Sequence, residues 1–172
     1  MKKIASFLCL LFLSTWASAQ NDVYLAETIK KWENASGYTM ELARAMPIDK
    51  FDFAPTDDTR SFQQQLEHMA RNMIWLGHSY LGAPEFDHPL KDKKDMSPQE
   101  CIQFLTASLQ FAHDALRGVS TDSLSVVHDF FAGPMTTRQI IALLEDHHTH
   151  HRGQLIVYLR LNGITPPKYR GW

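Results

Sequence analysis

The nine histidines of this 172-residue chain are unevenly distributed, and four of them lie between residues 145 and 154. At a rotation of about 100° per residue, His147 and His151 fall in the middle of one helical stripe with Ile140, Leu144 and Tyr158. Two imidazoles one turn apart can direct their ring nitrogens at a single point, which is the usual spacing of two helical ligands of one metal ion. The sequence therefore favours a metal site on the inward face of this helix.

Two other interpretations of this histidine pair remain open. Buried imidazoles need hydrogen-bond partners in any case, so His147 and His151 could form a satisfied polar pair in the core. They could also act as pH-sensitive or catalytic groups without a metal. A c-type haem is not indicated, because the sequence contains no C-x-x-C-H motif.

The other polar residues of the same segment lie away from the centre of the stripe. By the same rotation of about 100° per residue, His148 falls on the edge of the stripe and His150 on its flank. Both are expected to be solvated, or to support the metal ligands rather than bind the metal. Arg152 points away from the pair, and we expect it to form an ion pair at a helix or subunit surface.

Two helical ligands leave a metal incompletely coordinated, so a third ligand is expected on another helix. His68 lies near one border of the apolar stripe of its own helix, whereas His78 faces away from that stripe. Position alone therefore favours His68 only slightly. The other candidates that the sequence leaves open are His113, His128, Glu67 and the remaining acidic residues.

Four helices are predicted to position these side chains, because apolar residues recur at steps of three and four. Ser61 with Gln64, and Ser97 with Glu100, have the spacing of capping boxes at helix starts. The predicted helices cover residues 22–45, 61–82, 97–118 and 136–161.

The connections between the last three helices, residues 83–96 and 119–135, are long for a simple antiparallel bundle. The second connection contains the best candidate for a strand, residues 124–131. We find no repeat and no linker that would divide the chain. The sequence thus predicts an all-α fold, a single four-helix bundle with long connections.

The N-terminus has the pattern of a secretory signal peptide. Two lysines precede a mostly apolar run over residues 4–15, and Ala17-Ser18-Ala19 resembles a cleavage site. We therefore expect a signal peptide at residues 1–19, a domain at residues 20–172, a periplasmic location and no stable membrane insertion after cleavage. Cys101 would then be the one remaining cysteine, and it is expected in the core. A net charge of -2 gives no basic field for nucleic acid.

Segment 144–154, LEDHHTHHRGQ, and the later segment 159–167, LRLNGITPP, resemble the C-terminal signature of the DinB/YfiT-like superfamily. In that family a helix with H-x-x-x-H-R-G-Q precedes an L-R-x-x-G-x-x-P-P ending. Residues 66–70, LEHMA, followed by Trp75, are similar to the second helix of the family. Residues 131–133, FAG, fit its approach to the last helix. The likeness covers nearly all of residues 20–172, and the last helix carries its most specific motif.

The resemblance implies a bundle of up-down-down-up topology with a divalent metal on His68, His147 and His151. It implies zinc or nickel first, with manganese or iron as alternatives, and commonly a homodimer. A three-histidine site leaves positions open for water or substrate, which is the pattern of catalytic sites. We therefore expect an exported metal-dependent hydrolase or transferase of an unidentified small molecule, with no catalytic residue assigned. The alternative is a non-catalytic metal- or ligand-binding bundle. Expected outer partners of the ligands are Glu67, Asp146 and Gln154.

Overall fold

The computed structural model describes the backbone of residues 2–172 and the side chains of residues 21–172. Its four helices confirm the predicted all-α four-helix fold, and two short 3-10 turns, Ile48–Lys50 and Thr121–Ser125, lie in the connections. The predicted signal peptide at residues 1–19 lies outside the residues whose side chains are described, and it stays a prediction. The helices are α1 (Lys2–Ala45), α2 (Phe62–Tyr80), α3 (Pro98–Gly118) and α4 (Thr137–Leu161).

Reciprocal capping boxes begin the last three helices. In each one, the hydroxyl of the capping residue accepts a hydrogen bond from the backbone N–H three residues later, and that later side chain accepts one from the capping residue's own N–H. Both bonds satisfy groups that the helix itself leaves without partners. The predicted starts are therefore confirmed to within a residue. The pairs are Ser61 with Gln64, Ser97 with Glu100, and Thr136 with Gln139.

Two elements differ from the prediction. Helix α1 begins at Lys2 rather than near Asp22, since the Ala- and Leu-containing segment before Asp22 is itself compatible with a helix. The strand predicted within residues 124–131 is shorter in the structure, where it is β1 (Val127–His128). It pairs antiparallel with β2 (Met135–Thr136), a strand that was not predicted. Gly133 has a φ of 112° in the turn between them, a conformation that favours glycine.

The contacts of α4 define its direction relative to two neighbours. Along α1, Tyr24 lies against Arg138 and Lys31 against Glu145, so α1 and α4 run parallel. Along α2 the order is reversed, because α2 begins beside the end of α4: the Tyr158 hydroxyl donates to the carbonyl oxygen of Arg60. Helix α4 is therefore packed between α1 and α2 and buries side chains on two faces.

Helices α2 and α3 run parallel, although they follow each other in the chain. The Cys101 thiol near the start of α3 faces the carbonyl oxygen of Gln63 near the start of α2, and Phe111 lies against Gly77 further along both helices. Residues 81–97 must therefore return along the bundle, and the guanidinium of Arg71 holds this crossover by two backbone carbonyls. With α1 antiparallel to α3, the topology is up-down-down-up, as the resemblance implied.

The core lies along the centre of the bundle, and all four helices contribute to it. Its largest fully buried side chains include Trp32, Phe62, Phe104 and Ile140. Cys101 is also fully buried, as the sequence predicted, and burial raises the pKa of its thiol to about 12. Within the described part of the chain, none of the helices combines the length and the apolar character that crossing a membrane requires.

Candidate metal centre

Three histidines from two helices meet where α2 packs against α4. His147 and His151 lie one turn apart on α4, and His68 faces them from α2. Each offers one ring nitrogen, and these three atoms lie within 4.8 Å of one another. His147 Nε2 and His68 Nε2 lie 3.1 Å apart. The antiparallel packing of α2 on α4 thus brings together the three residues that the sequence and the resemblance selected.

The surroundings of the three imidazoles keep them uncharged. His151 is buried, and His68 and His147 are half-buried. Burial, followed by the proximity of the other site histidines, lowers the pKa of His147 and of His151 to about 4. Burial also lowers the pKa of His68, with a further contribution from the positive charge of Arg60. All three are therefore neutral near pH 7, which is the state in which imidazole binds a metal.

A chain of hydrogen bonds fixes which nitrogen of His151 carries its proton. The Tyr158 hydroxyl donates to the backbone carbonyl of Arg60 at 2.8 Å, and a carbonyl can only accept. The Tyr158 hydroxyl oxygen therefore accepts a hydrogen bond from Gln65 Nε2, at 3.3 Å. With the amide nitrogen on the Tyr158 side, the amide oxygen, Gln65 Oε1, lies 2.7 Å from His151 Nδ1. Nδ1 must donate to this oxygen, which leaves the lone pair of His151 Nε2 free to bind a ligand. Metal-binding histidines are usually oriented by such an outer acceptor.

The donor set fits a divalent transition metal. Each metal–imidazole bond to zinc is about 2 Å long, so nitrogens on one ion are about 3 to 4 Å apart. The His68 and His147 nitrogens already have this separation at 3.1 Å, and a third imidazole lies beside them with an oriented tautomer. Without a cation, three buried or half-buried nitrogens would share only one mutual hydrogen bond. The group could therefore hold a metal.

The other candidates for a third ligand have partners elsewhere. The His78 ring bonds the Ala83 carbonyl, His113 lies between Glu33 and Asp114, and His128 bonds the Thr137 hydroxyl. The Glu67 carboxylate accepts a hydrogen bond from Gln63. Of the sequence candidates, only His68 joins the α4 pair among the residues described.

One expectation for the residues beside the pair is wrong, and the ion pair expected of Arg152 does not form within the described chain. His148 is neither solvated nor a partner of the ligands. It is 2% exposed, its Nε2 lies 2.7 Å from the Thr39 hydroxyl, and its ring packs edge-on against Trp32. Arg152 forms no ion pair within residues 21–172, and its guanidinium lies over the Tyr38 ring. Both residues face α1, because α4 is buried on that side as well as toward α2.

The outer partner of the ligands was also missed. The sequence suggested Glu67, Asp146 and Gln154, but the His151 ring is oriented by Gln65 at Nδ1, while Gln154 lies beside both the His150 and the His151 ring. The sequence could have indicated Gln65, because this residue lies three positions before His68 and therefore on the same face of α2.

An open groove of about 760 Å³ borders His151, one member of the three-histidine cluster. Its walls are mostly polar and carry one positive charge, on Arg60, and one negative charge, on Asp58. Its volume is within the range of small-molecule sites. Its lining includes Arg60, Gln64, Gln65, His150, Gln154 and Tyr158.

Comparisons with known proteins agree with this architecture. The model of the DinB family matches residues 18–171. The chain is similar to the structure of a DinB-like protein from Bacillus cereus ATCC 10987, with a TM-score of 0.71 and 21% identity, over 83% of this chain and 95% of that one. It is also similar to a DinB-like protein, YjoA, from Bacillus subtilis, with a TM-score of 0.70 and 19% identity, over 85% and 99%. At such identities the structural likeness shows the fold alone. No curated protein matches the sequence.

Proposed function

This chain belongs to the DinB family, and from that membership and the three-histidine geometry we propose that it is an exported metal-dependent hydrolase or transferase. The metal is held by His68, His147 and His151. Zinc or nickel is favoured, because neutral imidazole suits both ions, while manganese or iron remains possible for the same donors. The substrate is a small molecule.

The observation that carries the proposal is the convergence of three neutral imidazoles, one of which has its tautomer fixed by Gln65. Purely structural zinc sites are usually closed by four protein ligands, whereas catalytic sites keep a position for water or substrate. Among the described residues the cluster has three members, and one of them, His151, borders an open groove. This combination favours a catalytic site over a closed structural one.

When bound, a divalent metal supplies Lewis acidity and lowers the pKa of a water molecule or thiol that it binds. The chain's own residues do the rest. Gln65 holds the His151 ring in place through Nδ1. Arg60 and Asp58 line the groove with opposite charges, so the groove can contact an anionic and a cationic part of a substrate. The burial of His147 and His151 keeps both rings unprotonated near pH 7.

The alternative is a bundle that binds a metal or a ligand without turnover. The open groove favours catalysis, but a binding protein also needs access to its site. The two functions differ in one measurement: a binding protein takes up metal stoichiometrically and turns over no ester, amide or electrophile.

The test is metal analysis of protein purified without a histidine tag, followed by an activity screen with each metal restored. We expect close to one metal per chain. If metal is present at about 1,000 times its dissociation constant, its removal should cost about 4 kcal/mol of stability. Chelation should therefore lower the melting temperature by roughly 10 °C for a chain of this size, and added metal should restore it. The metal site is refuted if zinc, nickel, manganese and iron all fail to bind or stabilise the protein. Turnover of no substrate by any metal-loaded form would favour the binding alternative.

Export is supported by the sequence pattern of residues 1–19. Mass spectrometry of protein from its native host should give an N-terminus at or near Gln20. A chain that retains Met1 there would contradict a periplasmic location.

A homodimer is the assembly that family membership favours. Light scattering or analytical ultracentrifugation over a wide concentration range should give twice the mass of the chain. A monomeric mass throughout that range would contradict the dimer and leave the metal centre unaffected.

A further inference from the structure

The C-terminal part of α2 and the turn between β1 and β2 carry a cluster of aromatic rings at the surface. Trp75 of α2 packs against Phe130 and Phe131 of the turn, with ring centroids 5.6 Å and 6.3 Å away. Phe131 is 85% exposed and Trp75 is 38% exposed, whereas Phe130 is buried. We call these three residues the aromatic platform. Exposed apolar groups that lie together in this way are typical of a binding surface.

Hydrogen bonds hold the turn that presents Phe131 to solvent. The Gly133 N–H donates to the Phe130 carbonyl oxygen at 2.9 Å, which closes the turn. The His128 ring in β1 bonds the Thr137 hydroxyl at the start of α4, at 2.8 Å, which ties the hairpin to the bundle. A ring that is already held in one place loses little further freedom when it binds a ligand.

The platform follows the metal site along the seam between α2 and α4. Trp75 is seven residues after His68, so it lies on the same face of α2, two turns and about 10 Å further along the helix. On α4, the half-buried Leu143 lies one turn before His147, in the same direction. His68 and His147 are half-buried themselves, so the cluster keeps some exposed surface at this seam. A molecule held at the cluster can therefore extend along the seam towards Trp75.

Two basic side chains flank Trp75, and both already have partners. The Arg71 guanidinium bonds two backbone carbonyls of the crossover, and the Lys91 ammonium pairs with the Glu85 carboxylate at 2.9 Å. The other charged residues of the groove beside Trp75 and of the hairpin turn are acidic, namely Asp92 and Asp129. The platform therefore suits an uncharged ring better than an anion.

We propose that the aromatic platform binds an uncharged aromatic part of the substrate, while another group of the same molecule reaches the three-histidine site. The inference rests on the proposed function, because it requires a metal with an open position at that site. The substrate class is a small molecule with a phenyl-like ring about 10 Å from its metal-binding group. Since the metal holds one end, stacking of the ring on Trp75 and Phe131 is enough to select such a molecule.

Hydroxamates are suitable probes, because a hydroxamate group chelates divalent metals and leaves its tail free. Butanohydroxamate has no ring, benzohydroxamate has a ring too close to the chelating group to reach the platform, and 4-phenylbutanohydroxamate has a longer spacer. Calorimetry measures the affinity of each probe for the zinc-loaded protein. We expect 4-phenylbutanohydroxamate to bind about tenfold more tightly than either of the other two, because only its ring reaches Trp75 and Phe131.

The same measurements separate a failure of this inference from a failure of the proposed function. If none of the three hydroxamates binds the zinc-loaded protein, the open metal site is refuted and the inference falls with it. If butanohydroxamate or benzohydroxamate binds as tightly as 4-phenylbutanohydroxamate, the metal site stands and the role of the platform is refuted.

Two substitutions locate the bound ring. Phe131→Ser and Trp75→Leu should each remove most of the tenfold advantage of 4-phenylbutanohydroxamate and leave the affinity for butanohydroxamate unchanged. Tyr169→Ser is the matched control, because Tyr169 is 74% exposed and packs against Tyr38 of α1 instead; it should change neither affinity. Phe131 is so exposed that its variant should fold even if Trp75→Leu does not. An advantage that survives in Phe131→Ser overturns the proposal.

The other occupant that such a platform suits is a second copy of this chain. Analytical ultracentrifugation of the unaltered protein and of Phe131→Ser distinguishes the two occupants. We expect the same mass for both proteins. If Phe131→Ser converts a dimer to a monomer and leaves all hydroxamate affinities unchanged, the platform is a contact between subunits and the proposal is overturned.

Discussion

His147 and His148 are adjacent in the chain, yet they belong to two different regions of the bundle. His147 faces α2 and meets two other imidazoles, with its Nε2 3.1 Å from His68. His148 faces α1, where its Nε2 bonds the Thr39 hydroxyl and its ring packs on Trp32. In the first region, ring nitrogens of three histidines lie around one point. In the second region, the polar side chains make separate contacts around a cavity.

The difference shows that burial alone does not bring a histidine into a cluster of imidazoles. Burial lowers the pKa of His147 to about 4 and that of His148 to about 3. What separates the two regions is the number of nitrogens that converge and the outer acceptor that orients one of them. On the α2 side Gln65 provides that acceptor, whereas on the α1 side His148 Nε2 meets a single hydroxyl, that of Thr39.

The largest expected difference between the two regions is in metal uptake. His147→Ala or His151→Ala removes one of three ligands and should reduce metal affinity by more than about 100-fold, beyond the effect of losing an outer partner. His68→Ala should do the same. His148→Ala and the exposed His150→Ala should leave the metal content of the folded protein unchanged. Elemental analysis after dialysis measures the metal content of each variant. A folded His148→Ala protein that contains no metal would contradict the separation of His148 from the metal site.

The second difference is in stability without metal. His148→Ala removes a fully buried ring and its bond to Thr39, so the free energy of unfolding should fall by about 2–4 kcal/mol. His150→Ala is the matched control on the same helix and should change it by less than about 0.5 kcal/mol. Urea unfolding of the chelated proteins gives both values. Equal changes in the free energy of unfolding for the two variants would mean that the contacts of His148 with α1 do not stabilise the fold.

A smaller effect should come from the outer acceptor. Gln65→Leu keeps most of the volume but removes the acceptor from His151 Nδ1, and should weaken metal binding about 10- to 100-fold. Gln65→Glu retains an oxygen at that position and should lose less. Competition with a chromogenic chelator measures the affinities. An unchanged affinity in Gln65→Leu would show that the fold orients His151 without this bond.

The smallest expected effect, counted per pH unit, is the change in the free energy of unfolding with pH. The folded pKa of His147 and of His151 is about 4, below the unfolded value of about 6.5. Between these values the unfolded chain binds more protons, so stability falls as the pH drops, by about 1 kcal/mol per pH unit for each histidine. Bound metal should make the loss steeper, because protonation releases it. Urea unfolding at pH 7, 6 and 5 tests this, and a flat profile for the metal-free protein would be inconsistent with buried neutral rings.

The sequence predicted helix α4 and the inward position of its histidine pair because these signals are local. Capping residues at Ser61, Ser97 and Thr136 mark helix starts within four residues. The inward position of His147 and His151 follows from a single periodicity. The pairing with His68 needed the family resemblance, since the helix that supplies a third ligand depends on packing between distant segments.

The burial of His148 could not be predicted from local sequence patterns. A helical wheel finds the centre of one apolar stripe, but α4 packs against α1 as well as α2, and its buried surface is wider than that stripe. His148 and Arg152 are polar, so they do not extend the stripe in the sequence. Their burial follows from α1 lying parallel beside α4, a long-range arrangement that no local pattern encodes.

The parallel arrangement of α2 and α3 has a consequence for how fast the chain can fold. Neighbouring antiparallel helices in this bundle are never consecutive in the chain: α1 packs antiparallel on α3, and α2 on α4. A helical hairpin therefore cannot form early as a local nucleus, and the first antiparallel contacts must close long loops. Loop closure of this kind raises the entropic barrier, so this bundle should fold more slowly than an up-down-up-down bundle of the same length.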